Sequence, residues 1–452
     1  MSPRTRLLGV NPAQSMCPRA PELLRRVEAV VVLEQLGSTL FDTALQLVVR
    51  ERCANATSDG EQRAMTDFYM VYNLLVQLLP IAPAVLLARL GDGGRRRAPV
   101  AVPLLGYLLS RLALLLVVWL RLPLRVMFGA AAVLGLSGGF SAYWPGVMTL
   151  ASLRSSAAER SIVSAVELLY GAAGVLGSLV SGHLFQLHSS SVGDGGVLLV
   201  VSTVLHLLCL LHAAFLLQVG ARPCVRACVR QAPSAEPQDS CRLVSPAAEG
   251  ARAPVMRALA GMNVLNLVLL FTAAILYDFA VGGAVEILGP FVMKAPLSWN
   301  AAQVGYGNAA GSAIFLTSFL GVLVFRRWFA DTTLILIGLL SFASGIYFMS
   351  FVTATYMFYL ARSLTLFALI PMPTIRSLVS QQVPASTCGT TLTALQLALK
   401  FAGLAYIPAF TKIYQATLDW FPGFVFTLSS IFTALAMIPV RYSLSDCSKP
   451  LF

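Results

Sequence analysis

Charge is scarce in this sequence. Charged residues make up 12% of the 452 positions and hydrophobic ones 57%, with a mean hydropathy of +0.76, whereas soluble domains carry about 25% charged residues. An ordinary soluble globular chain is thereby excluded. Acidic residues are the scarcer sign, 20 Asp and Glu against 32 Lys and Arg, for a net charge of +12. The basic excess is not laid out as a nucleic-acid surface. It clusters at Arg4 to Arg26, Arg95-Arg96-Arg97, Arg222 to Arg257 and Arg326-Arg327, between hydrophobic runs, where topology signals and anionic lipid contacts belong. The eight cysteines are dispersed and form no disulfide framework. The four histidines, His183, His188, His206 and His212, lack metal-ligand spacing and read as helix-end or packing residues. Zinc, phosphate-loop and paired-aspartate signatures are missing, as is a nucleotide-binding domain that could power a pump, so neither cofactor nor metal is expected. A cleavable signal peptide is also lacking: Pro3, Pro12, Pro18, Pro21 and several Arg interrupt the first 26 residues.

Hydrophobic stretches are abundant instead. Crossing a bilayer takes about 20 mostly apolar residues in a helix, because hydrocarbon offers backbone groups no other partners. Twelve such stretches are expected at about 27–49, 67–90, 99–120, 125–152, 161–187, 196–219, 259–285, 302–325, 331–351, 355–378, 387–411 and 421–441. They imply an N-terminal tail (1–26), a six-helix bundle (27–219), a polar linker rich in Pro, Ser, Gln and Arg (220–258), a second six-helix bundle (259–441) and a C-terminal tail (442–452). Longer connections are expected around Asn55 and at Pro290 to Trp299.

With both termini in the cytoplasm, about 21 of the 32 Lys and Arg fall in cytoplasmic segments, about 7 outside and about 4 within spans, as the positive-inside rule requires. Asn55-Ala56-Thr57, a glycosylation sequon, then faces the exterior. Cys53 lies on the same side, and Cys224 and Cys228 flank basic residues below helix 6, where they are either plain cytosolic thiols or palmitoylation sites.

The two halves echo one another. Glu34 and Asp42 in helix 1 correspond to Asp278 and Glu286 in helix 7 at one constant shift, both pairs being spaced by two helical turns. Ala165-Val166-Glu167 in helix 5 corresponds to Ala394-Leu395-Gln396 in helix 11, and Arg95-Arg96-Arg97 to Arg326-Arg327. The expected fold is therefore all-α, a twelve-helix membrane protein with two pseudo-symmetric six-helix bundles around a central cavity, the arrangement of the major facilitator architecture.

Charges inside spans are costly, so each needs a partner or a watery cavity. Those within spans are Glu34, Asp42, Arg111, Glu167, Asp278, Arg362 and Lys400, with Glu286 and Arg376 near span ends. Glu167, among apolar neighbours, has the placement a carboxyl group needs to load and release protons; the competing reading pairs it permanently with a buried arginine such as Arg111. Asp42, Asp278 and Glu286 are further proton-coupling candidates, with rim solvation the bland alternative. Arg111, Arg362, Arg376, Lys400, Gln396 and Glu34 are candidates for substrate binding, since Arg suits bidentate contact with carboxylate or phosphate. Arg362 and Arg376, four turns apart, would share nearly one helix face, unless Arg376 is an interfacial anchor; Pro371 and Pro373 between them mark a hinge or a packed kink. Asp92, Arg96 and Arg97 are gating candidates. Gly135-Leu136-Ser137-Gly138 matches the pattern of intramembrane serine proteases, a pattern that closely packed Gly-rich helices also produce.

The segments Val304-Gly305-Tyr306-Gly307, Asp331-Thr332-Thr333, Tyr356-Met357-Phe358-Tyr359-Leu360-Ala361-Arg362 and Thr374-Ile375-Arg376-Ser377 resemble the haem and folate carrier family of proton-coupled major facilitators. The loop Asp92 to Arg97 also resembles the cytoplasmic latch of major facilitators, with Arg95 where glycine is usual. The family resemblance implies symport of protons with organic anions: folates, antifolates or, in one branch, peptidoglycan fragments (muropeptides). It places Glu167 at the coupling glutamate of the folate carrier and Arg376 at a functional arginine. Val281 stands at that carrier's helix 7 histidine, Gly138 at its helix 4 aspartate, and Ser298 at an exterior cysteine that would pair with Cys53. The expectation is thus a plasma-membrane or endosomal symporter whose partners are a small organic anion, protons and the lipid bilayer; a transporter-shaped receptor that binds without translocation is the alternative.

Overall fold

The computed structural model describes residues 27–54, 58–92, 95–154, 161–188, 196–216, 264–383 and 385–447. Asn55, Cys224, Cys228 and the segment from 220 to 258 lie outside the described residues, as do the side chains of Asp92 and His188. Every regular element among the described residues is helical. The N-terminal half contains α1 (Val27–Cys53), α2 (Ser58–Leu78), α3 (Ile81–Asp92), α4 (Ala98–Trp119), α5 (Val126–Leu136), α6 (Gly139–Arg154), α7 (Ser161–His188) and α8 (Gly196–Leu211, continued by one π turn). The C-terminal half contains α9 (Val264–Met293), α10 (Ala301–Phe325), α11 (Asp331–Met349), α12 (Thr355–Leu364), α13 (Pro371–Gln382), α14 (Ala385–Thr417) and α15 (Phe424–Cys447).

Nine helical stretches among the described residues are long and apolar enough to cross a membrane, two of them joining α2 to α3 and α5 to α6. The three remaining crossings are α1 and α7, which carry acidic residues mid-helix, and the broken pair α12–α13. The stretch from 50 to 66, expected as a loop, is mostly helical: α1 runs on to Cys53 and α2 starts at Ser58. Arg50 reaches Glu61 at 4.0 Å, and the Thr66 hydroxyl donates to the Gln62 carbonyl at 2.7 Å, so polar side chains support helix beyond the apolar run. The stretch after helix 7 is likewise shorter than expected, because α9 continues through Pro290 to Met293. α10 starts on a reciprocal capping box, Asn300 accepting from the Gln303 amide at 3.0 Å and Gln303 from the Asn300 amide at 2.9 Å.

The fourth and tenth crossings, which correspond in the two halves, are both broken. In the fourth, Gly138 and Gly139 adopt φ of +94° and +45°, a region that costs a side-chain-bearing residue dearly. Ser137 and Gly138, at the end of the Gly135 to Gly138 run, are therefore a helix break, and the Ser137 hydroxyl is engaged with the Leu134 carbonyl at 2.6 Å. In the tenth, residues 365–370 leave the helix and Pro371 opens α13 at its first turn. Backbone groups freed inside a membrane must be satisfied by protein, and they are. Thr317 and Ser318 of α10 donate to the Leu366 carbonyl at 2.7 and 2.9 Å, Ser341 of α11 donates to Leu364 O at 2.6 Å, and the Tyr277 hydroxyl of α9 donates to Ala368 O. The break corrects one expectation: Arg362 on α12 and Arg376 on α13 do not share one continuous helix face.

Most packing stays within a half. The extensive contacts between halves run along α7 with α10 and α2 with α14, with smaller ones between α2 and α9 and between α1 and α10. The first two interfaces are equivalents under the exchange of halves. Gly182 and Gly305 bring the backbones of α7 and α10 together at the end bearing His183, whose Nε2 lies 2.7 Å from the Tyr306 hydroxyl. At the same end of the other interface, Lys412 binds Asp67 at 2.8 Å, and the Gln415 amide donates to Asp67 at 2.9 Å and to Thr66 at 2.8 Å. This end of the bundle is held closed; the helices α3 and α6 beyond the breaks make no extensive contact with the C-terminal half among the described residues.

Candidate functional site

Between the halves lies a cavity of about 580 Å³, walled by α1, α2, α7, α9, α10, α11 and α12 together with the broken segment after α12. Its volume suits a small organic solute. Its lining is largely apolar and aromatic, with Tyr69, Tyr72, Tyr170, Phe315 and Phe358, and a few polar groups converge on it: Asp42, Gln46, Asn73, Glu286, Asn308 and Arg362.

Three charged side chains face this space. Asp42 projects from α1 and is exposed to the cavity, with no hydrogen bond or ion pair among the described residues. Glu286, its counterpart on α9, accepts a hydrogen bond from the Asn73 amide of α2, a contact that crosses the halves. Arg362 lies 5.3 Å from the Phe358 ring centroid; its Nε is buried without a hydrogen-bond partner, and no carboxylate among the described residues reaches it. The Asn308 amide donates to Gln46 across the halves at 3.5 Å.

Glu34 and Asp278 lie two turns before Asp42 and Glu286, as their spacing requires, and neither lines the cavity. Glu34 is 2% exposed. It accepts from the Ser38 hydroxyl at 2.7 Å, which accepts from Arg111 Nη2 at 2.9 Å. Arg111, also 2% exposed, sits over the rings of Phe41 and Tyr107 at 4.4 and 4.7 Å. This buried relay belongs to the interior of the N-terminal half. In the C-terminal half, Asp278 is within electrostatic reach of Lys400 and Arg376. With its amide oxygen turned toward the guanidinium, Gln396 accepts from Nε and Nη2 of Arg376, both at 2.9 Å. Lys400 donates to Gln77 of α2 at 3.0 Å, so this cluster also touches the other half.

Glu167 is half-buried on α7 and has no hydrogen bond or ion pair among the described residues; Arg111 is engaged elsewhere. It does not line the cavity. Positions 167, 170, 171, 174 and 178 fall on one helical stripe, and Tyr170, Gly171 and Ser178 of that stripe do line it, so Glu167 lies about one turn, roughly 6 Å, beyond the wall. Arg96 is exposed, and Arg97 donates to the Ala214 carbonyl at 2.9 Å, tying α4 to the end of α8. Of the histidines, His206 packs against Gly37 and holds the Ser202 carbonyl at 3.1 Å, and His212 is buried.

Charges alone pointed to part of this site. Asn73, Gln46 and Asn308 were missed because an uncharged amide in an apolar run looks unremarkable, although three of them at membrane depth were a usable signal.

A two-half helical bundle with paired broken helices and a polar cavity at the junction of its halves is the major facilitator fold. The D-xylose-proton symporter has the same fold, with a TM-score of 0.65 at 14% identity over 91% of this chain and 96% of that one. Solute carrier family 46 member 2 of the dog is 41% identical over 95% of both chains, and the chain belongs to solute carrier family 46. The lysosomal proton-coupled steroid conjugate and bile acid symporter of the chicken is 26% identical, over 86% of this chain and 82% of its own length. No protein-family model matches.

Proposed function

We propose that this multi-pass membrane carrier imports organic anions together with protons by alternating access, the class of solute being muropeptide or folate-like. The observation that carries the reading is an unneutralised guanidinium, Arg362, in a solute-sized cavity that also presents the carboxyl groups of Asp42 and Glu286. An anion meets a bidentate donor there, and the carboxyl groups take up protons as it binds. Glu167, partnerless and one turn beyond the cavity wall, is the coupling group that communicates with the open end, and Asp278 serves the second half. Arg376, Gln396 and Lys400 form a fixed hydrogen-bonding cluster along the solute path, while Arg111 and Glu34 hold the N-terminal half rigid.

The arginine distribution supports cytoplasmic termini, which makes the closed end exterior and this conformation inward-facing. The plasma membrane is the proposed workplace, with an endosomal membrane as the variant that the chicken relative's lysosomal name favours.

The test uses the full chain in proteoliposomes with an imposed pH gradient, acidic outside, and a radiolabelled muramyl peptide or antifolate as probe. Accumulation above the outside concentration that collapses with a protonophore is expected. Saturable binding without accumulation would instead identify a receptor.

A further inference from the structure

We infer that the cavity is built for solutes carrying a cationic group as well as an anionic one, with Asp42 of the N-terminal half taking the cation and Arg362 of the C-terminal half the anion. The inference deepens the carrier reading and rests on it. Three observations lead there. Arg362 faces the cavity with a buried Nε that no described residue satisfies. Asp42 is open to the same space from the opposite half, with no hydrogen bond or ion pair among the described residues. Glu286, which corresponds to Asp42 in the repeat, is already held by Asn73, so one of the two equivalent carboxyl groups is occupied by protein and the other is left for something else.

The surroundings of Asp42 leave that role open. Among the described residues, the groups within electrostatic reach of it are Tyr69 and Tyr72 from α2, Arg111 and Tyr107 from α4, and Tyr170 from α7, with Glu34 two turns away on its own helix. The phenols are neutral at physiological pH. Arg111 is fixed on Ser38, the Tyr107 carbonyl and two rings, and does not close to ion-pair distance. A plain anion docked on Arg362 therefore faces a second negative charge in the same cavity, and must bring a proton to Asp42 to relieve the repulsion. A solute with its own ammonium group relieves it directly and spans both halves with two charge-assisted contacts.

The test measures binding to the purified full chain in vesicles with two probes, alanyl-glutamate and its N-acetylated derivative. At about pH 7.5 the free-amine probe should bind about tenfold tighter. Asp42→Asn should bring the ratio to about one, Asp42→Glu should preserve it, and acidification should narrow it in the natural protein by improving the acetylated probe. Equal binding of the two probes, binding of neither, or a ratio unchanged in Asp42→Asn overturns the inference. Accumulation under a pH gradient is read on the same vesicles. Amine preference without accumulation refutes transport but supports the two-point site, and accumulation of other anions with no amine preference refutes the site alone.

Discussion

Gly305→Ala should act as a wedge on the closed end. A β-carbon on Gly305 would lie 2.7 Å from the Ser178 carbonyl oxygen and 2.9 Å from the Gly182 Cα, and one on Gly182 would lie 2.8 Å from the Ala301 carbonyl oxygen. Ordinary contacts between such atoms are about 3.5–4.0 Å, and the obstructing atoms are backbone, so α7 and α10 must part by close to 1 Å. Overpacking of this kind costs about 1–3 kcal/mol. The cost is borne only while this end is closed. The ratio of closed to open conformers should therefore fall about 5- to 150-fold. Spin labels at the exposed positions Arg63 on α2 and Ala416 on α14 report the same end, and their distance distribution should gain a longer component. Gly129, whose added β-carbon meets nothing within 4 Å, is the control, and Gly129→Ala should leave the distribution unchanged. An unaltered distribution in Gly305→Ala, in a protein that melts normally, would refute the idea that this contact closes this end of the bundle.

Three other substitutions follow from the charge arrangement. Arg362→Ala should lower uptake of an anionic probe by about ten- to a hundredfold at normal surface abundance, and Arg362→Lys should recover only part, because an ammonium lacks the paired donor geometry. Arg111→Ala should cost stability, about 3–5 kcal/mol, by leaving the buried Glu34–Ser38 pair without its cation, visible as a lowered melting temperature of the solubilised protein. Lys412→Ala, which breaks a largely exposed pair with Asp67, should change stability by less than about 1 kcal/mol, and the change should shrink further in high salt.

The duplicated architecture was legible because hydrocarbon forces long apolar helices and because Glu34/Asp42 and Asp278/Glu286 repeat at one spacing; the structure sets the second member of each pair on the cavity and the first outside it. Pro371 and the glycines at 138 and 139 carried the helix breaks in plain view. The hydroxyls of Thr317, Ser318 and Ser341 that satisfy the broken tenth crossing were invisible to periodicity, since they act across helices. For the same reason Arg362 and Arg376 looked like one face until the break separated them. The helical extensions over 50–53 and 58–66 escaped notice because their support, Arg50 with Glu61 and Tyr414 beside Gln62, is polar and partly long-range. The cavity's amides were hidden by their lack of charge.

The central claim, that Glu167 couples solute movement to protons, is tested most directly by Glu167→Gln in proteoliposomes carrying an acid-outside pH gradient and a labelled antifolate or muramyl peptide. The glutamine keeps the shape and cannot carry the proton. The prediction is that gradient-driven accumulation disappears while exchange of labelled for unlabelled solute at equal pH persists. Accumulation at the natural rate with the same acid stimulation would contradict it.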